Sequence, residues 1–117
     1  MTPAQKLKLK QVVEQNAKWP LAVIGATPSD FAKATVIPAN IPDQDLWDLN
    51  FPMSDKLVID GLDTLSEPEQ EKFITLLKDR SGITNTLPED TQIILTVKNR
   101  DALAQTIQRL LIFWEIK

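Results

Sequence analysis

Leu57-Val58-Ile59 is an unbroken apolar run that stops at Asp60-Gly61, and two runs like it, Leu21-Ala22-Val23-Ile24-Gly25 and Ile93-Ile94-Leu95-Thr96-Val97, stand elsewhere in the chain. Each lacks the apolar-polar alternation of a strand with one wet face and is too short for a helix. Such runs fit strands buried on both sides, as in parallel sheets. Parallel strands need connections that cross a face of the sheet, and the segments between these runs begin like helices.

Thr2-Pro3-Ala4-Gln5 places a cap, a proline and a returning Gln in capping-box order, which predicts a helix over 3–17. Leu7, Val13 and Ala17 would share its inner face, flanked by Lys10 and Val12. Thr27-Pro28-Ser29-Asp30 repeats the signature and predicts a brief helix to about residue 34. Ser66-Glu67-Pro68-Glu69 does so again, and predicts a helix running to about Arg80 with Phe73, Ile74, Leu76 and Leu77 as its buried stripe; Ser81-Gly82 supplies the stop. A further helix is expected over 101–109, with Leu103, Ala104 and Ile107 inward. Weaker signals give a strand at 35–37 ended by Pro38, a helical turn at 45–49 with Trp47 packing, and a closing strand at 110–114. The expectation is an α/β fold over 1–117 as one domain: a three-layer sandwich with a mostly parallel sheet of about five strands.

Composition narrows the chemistry. The 117 residues include no Cys and no His, which removes disulfides, Cys or His metal sites and mechanisms built on a His base or Cys nucleophile. A formal charge of −3 disfavours general nucleic-acid binding, which rests on neutralising phosphates; no direct nucleic-acid partner is expected. Lys6, Lys8, Lys10 and Lys18 form a local exception, readable as a solvated face or as a phosphate patch. The longest apolar stretches, 21–26 and 110–114, are far short of the ~18 residues of a membrane span. The start of the chain shows no apolar signal core, so a cytoplasmic protein without membrane association is expected.

In an open parallel sheet, ligands bind beyond the carboxyl ends of the strands, which places 25–30, 60–63 and 96–99 on one rim. An acid ending a buried strand can hold magnesium beside a nucleotide; it can equally form a turn. For Asp60 both readings stand. The element order, with the Leu57-Val58-Ile59-Asp60-Gly61-Leu62-Asp63-Thr64-Leu65-Ser66 run, resembles the α/β core of AAA+ ATPases, nearest the clamp-loader and replication-initiator branch. The resemblance implies a P-loop NTPase-like topology, with the Ile93 strand between the Leu21 and Asp60 strands. It makes Asp60, Asp63 and Asn99 remnant nucleotide-site positions, with Thr96 an alternative to Asn99 as a polar sensor. Asn99 or Thr96 could instead cap the helix expected at Asp101. Arg109 resembles a trans-acting arginine finger, or is a solvated helix-end residue.

The departures from that family are specific. A phosphate loop reads G-x-x-x-x-G-K-[ST], whereas Gly25-Ala26-Thr27-Pro28-Ser29-Asp30-Phe31-Ala32-Lys33-Ala34-Thr35 has no second Gly and places Lys33 too far along. Pro28 removes an amide, and Asp30 brings negative charge to the place of the phosphate. The family's second acid falls on Gly61, and its C-terminal helical lid has no counterpart through Lys117. The resulting expectation is a non-hydrolysing AAA+-like interaction module, not an enzyme, without a cofactor, with a protein partner and an association with DNA replication or recombination proteins. Two alternatives stay open: a nucleotide-binding protein or weak ATPase with an atypical loop, and an unrelated α/β regulatory domain. A receiver-like domain would need an acidic cluster after its first strand, where this chain has Ala26-Thr27-Pro28. Phe113 and Trp114, adjacent on the closing strand, point to opposite faces; both are buried if helices cover both sides of the sheet, and otherwise one of them is exposed for a partner.

Overall fold

The apolar runs form strands whose side chains are split between two cores. A computed structural model describes residues 1–116. Strands β1 (Leu21–Ile24), β2 (Thr35–Pro38), β3 (Lys56–Asp60), β4 (Gln92–Val97) and β5 (Ile112–Glu115) pair in parallel throughout, in the order β2-β3-β4-β1-β5. The fold is therefore α/β with the P-loop NTPase-like order, and the Ile93 strand lies between the Leu21 and Asp60 strands. Every residue of β4 is buried, as its central place requires.

Alternate residues go to opposite faces. Leu57 and Ile59 join Ala22, Ile93 and Leu95 on one side, where they meet Phe73, Leu76, Leu77 and Ile107. Val58 joins Leu21, Val23 and Ile94 on the other, where they meet Leu9, Val12, Val13 and Phe31. The first face is covered by α2 (Asp43–Trp47), α3 (Glu67–Glu71), α4 (Ile74–Asp79) and α5 (Gln105–Gln108). The second is covered by α1 (Pro3–Gln15) and by Phe31. Removing the Phe73 ring, 1% exposed at the centre of the first core, is expected to cost about 3–5 kcal/mol through lost transfer energy and the cavity left behind.

The helix starts were legible and the helix extents were not. At α1 the Thr2 hydroxyl accepts the Gln5 N–H while the Gln5 side chain accepts the Thr2 N–H. Its buried face is Leu9, Val12 and Val13, however, and Leu7, 59% exposed, and Ala17 point to solvent. A side chain at 9 lies over 12 and 13 by helical spacing, and this triplet is the one facing Val23 and Val58. The helix expected from Ser66 to Arg80 is two helices separated at Lys72-Phe73, where the Phe73 N–H turns to the Gln70 carbonyl in a tighter, i−3 bond. The capping box read at Ser66 and Glu69 is not formed: the Ser66 side chain makes no cap bond. The helix expected over 101–109 is a 3-10 turn at Arg100–Ala102 followed by α5. The helix expected after Thr27 is one 3-10 turn, Pro28–Asp30, because Phe31 leaves it in extended conformation to reach the core. Trp47 lies at the surface, 36% exposed.

Among the described residues, no helix is long and apolar enough to cross a membrane.

Candidate functional site

The carboxyl ends of β1, β3 and β4 bring the three candidate segments to one rim, and hydrogen bonds between them fix its shape. Asp60 pairs with Thr96 in the β3–β4 register. The Thr96 hydroxyl, buried, donates to Asp60 Oδ1 at 2.7 Å. The Asp60 side chain is otherwise exposed at the strand end.

Immediately after Asp60 the chain must turn sharply, and Gly61 does this at φ 85°, a left-handed conformation that side-chain-bearing residues enter at a cost of about 1–2 kcal/mol. Its N–H donates to the Thr96 carbonyl at 3.2 Å. The Thr64 hydroxyl and N–H both donate to the Gly61 carbonyl, at 2.6 and 2.9 Å. An acid at this position would be strained, so the turn that ends β3 accounts for the Gly where the AAA+ pattern places its second carboxylate.

Asp63 lies half-buried on the 3-10 turn Leu62–Thr64. Its Oδ2 accepts the Lys98 and Asn99 N–H groups, both at 3.0 Å. The half-buried carboxylate thus anchors the turn after β4 to the turn after β3. Asn99 uses its side chain for capping: Oδ1 accepts the Asp101 N–H at 3.1 Å. Thr96 and Asn99, weighed above as sensor or cap, therefore divide: Thr96 contacts the strand-end acid and Asn99 caps.

Behind this rim sits a residue that sequence reading missed. Gln70, 0% exposed, accepts the Ala104 N–H through Oε1 at 2.6 Å and donates through Nε2 to the Leu65 and Ala102 carbonyls at 2.9 and 2.8 Å. It joins α3 to the segments following both β3 and β4. In the sequence it looks like any polar helix residue; its spacing of three from Phe73 is the signal that it faces inward.

The turn after β1 is closed on itself. Gly25 adopts φ 92° and donates its N–H to the Val97 carbonyl at 3.2 Å. Beyond it, Asp30 Oδ2 accepts the Thr27 N–H at 2.9 Å and lies 3.3 Å from the Thr27 hydroxyl, which also shares a 2.8 Å hydrogen bond with Ser29. The Asp30 and Phe31 N–H groups donate to the Thr27 and Pro28 carbonyls. Nucleotide phosphates bind where several free amides converge. Here one amide is held by the chain's own carboxylate, one is missing at Pro28 and two are used within the turn. Lys33 stands beyond the turn with φ 58°, and is exposed. These residues do not fit a triphosphate.

No group of three acidic side chains able to hold a metal ion occurs among the described residues. Arg109 follows α5 as an exposed C-cap. Lys6, Lys8, Lys10 and Lys18 are exposed on and after α1, and Lys6 and Lys10 line a cavity with Ser29 and Asp30 of the turn after β1.

No family model matches this chain, and no curated protein matches it in sequence. Among solved structures it is similar to a DNA polymerase III gamma subunit-related protein from Thermotoga maritima, with a TM-score of 0.63 and 14% identity. The match covers 97% of this chain and 46% of that protein, so the chain spans about half the length of the structure it resembles. At this identity the likeness concerns the fold.

Proposed function

We propose that this chain is a non-hydrolysing AAA+-like interaction module that works through contacts with DNA replication or recombination proteins. The observation that carries the reading is the Asp30 carboxylate on the Thr27 amide, in the loop that AAA+ proteins use for phosphate. A fixed negative charge in that position repels a triphosphate at the distance where attraction is needed. The site's other remnants also serve the fold: Gly61 makes a left-handed turn, Asp63 holds two backbone amides and Asn99 caps. The likeness to a polymerase III gamma subunit-related protein supports the choice of partner class. In this reading the chain is not an enzyme, carries no cofactor and binds no nucleic acid directly.

The test is co-sedimentation of the purified chain with recombinant clamp-loader subunits of the same organism, with and without magnesium-ATP. The expected result is a complex of equal affinity in both conditions. Association with none of the subunits, or association that requires ATP, would contradict the proposal.

The exposed Asp60 carboxylate favours a second reading, a nucleotide-binding protein with an atypical loop. That reading requires measurable ATP affinity that falls when Asp60 is replaced by Ala.

A further inference from the structure

We propose that β5 is a self-association edge, and that a second copy of the chain adds its own β5 to it in antiparallel pairing about a two-fold axis at Trp114. The proposal concerns the outer edge of β5, not the Asp30 turn, and stands independently of the functional reading above.

The direction of the backbone groups comes first. The Ile112 and Ile116 N–H groups donate to the Pro20 and Ile24 carbonyls, both toward β1. Strand residues alternate in the side to which their N–H and C=O point. Phe113 and Glu115 therefore turn both of their backbone groups outward, and among the described residues β5 pairs with β1 alone. A strand edge of this kind is a template for another strand.

The two edges of the sheet are not alike. On β2, the Ala39 N–H donates to the Asp60 carbonyl on the β3 side, so the outward positions are Val36 and Pro38. Pro38 has no N–H to offer, which blunts that edge. The strand Ile112-Phe113-Trp114-Glu115 contains no Pro or Lys, and Glu115 is its one charged residue.

A second copy is the occupant because this edge is complementary to itself. With the two-fold axis at Trp114, Phe113 faces Glu115 of the second copy and all four outward residues exchange N–H···O bonds, four in total. On the α1 side, Trp114 then meets its own copy in a non-hydrogen-bonded pair, where opposed Cα atoms lie ~4.5 Å apart. Ile112 meets Ile116 on either side of it. These three side chains are half-buried in the monomer and pack against the α1 core. An open groove of about 540 Å³, lined by Gln5, Lys8 and Trp114 among others, leaves the edge accessible past α1.

Charge fixes the other face. The Arg100 guanidinium sits 4.0 Å over the Phe113 ring. The same register brings Glu115 of the second copy directly opposite Phe113, within reach of that guanidinium, and the symmetry makes the pair twice. An unrelated extended peptide would need an acid at one defined position to match; a second copy of this strand supplies it.

Sedimentation equilibrium of the intact chain tests the proposal. The wild type is expected to reach twice the 13.2 kDa chain mass at micromolar to millimolar concentration. Glu115→Pro removes an outward N–H without touching a bond to β1, and is expected to weaken association at least about tenfold, or about 1.4 kcal/mol, with the circular dichroism of the monomer unchanged. Glu115→Arg should weaken it too, and adding Arg100→Glu should restore it; this charge exchange decides the matter if the proline variant fails to fold. A wild type that stays at the single-chain mass overturns the proposal, including one that takes up an extended peptide at β5 instead. So does a dimer indifferent to these substitutions.

Discussion

The Asp30 carboxylate accepts the Thr27 backbone N–H at 2.9 Å while the Asp30 N–H donates to the Thr27 carbonyl at 3.0 Å, a reciprocal pair that closes the turn after β1. The pair is a capping motif applied to a single 3-10 turn, and it occupies the donor an anion would need. Asp30→Ala is expected to lower stability by about 1 kcal/mol, the usual value of such a cap, measured by urea denaturation. It should not create ATP affinity, because Pro28 still lacks a donor and the Asp30 and Phe31 amides remain within the turn.

Asp63 contributes through an acceptor oxygen rather than through its charge alone. Asp63→Ala leaves the Lys98 and Asn99 amides to water and is expected to cost about 1–3 kcal/mol, since bonds to a carboxylate exceed neutral ones. Asp63→Asn keeps an oxygen in place and should cost less. Thermal melts of the two variants give the order, and equal losses would assign the role to the charge.

Gln70 should be among the polar positions least tolerant of change. Gln70→Leu preserves bulk but strands the Ala104 N–H and the Leu65 and Ala102 carbonyls. The Ala104 bond is buried and the two carbonyl bonds are part-buried; a buried unsatisfied group costs about 1–3 kcal/mol, so a loss in that range is expected in denaturant titration, most of it from the Ala104 N–H.

Gly82 and Gly61 separate two reasons for glycine. A Cβ at Gly82 would lie 2.0 Å from the Trp47 carbonyl oxygen, whereas one at Gly61 meets only the Thr64 hydroxyl at 3.6 Å, in a left-handed backbone. Gly82→Ala must move the backbone of α2 and is expected to cost more than about 3 kcal/mol, in the range of the most damaging single substitutions. Gly61→Ala bears only its conformational strain, about 1–2 kcal/mol. Comparison of their unfolding midpoints checks the difference.

What could be read from the sequence follows from which forces act locally. Leu21–Ile24, Leu57–Ile59 and Ile93–Val97 announced buried parallel strands because apolar runs of that length have few other stable places, and their order gave the fold class. Helix starts at Thr2 and Thr27 were visible as caps. Helix lengths were not, since they depend on what the next side chain must reach: Phe31 leaves its turn to enter the core, and Phe73 tightens the helix where Gln70 also turns inward. The site divided in the same way. Asp60 at a strand end could be placed from the run before it. The amides that Asp63 holds lie 35 and 36 residues away and the one that Asn99 caps lies 2 away, and only the pairing of β3 with β4 brings Asp63 to its partners. The inner face of α1 was misplaced because Leu7 and Leu9 are equally apolar, and the sheet beneath selects between them.

Equilibrium dialysis of the wild-type chain against labelled ATP with magnesium tests the central claim most directly. A closed Asp30–Thr27 turn gives no bound nucleotide above buffer at millimolar ATP, and no shift in melting temperature. Saturable binding that is lost in Asp60→Ala would contradict it and place nucleotide chemistry at this rim.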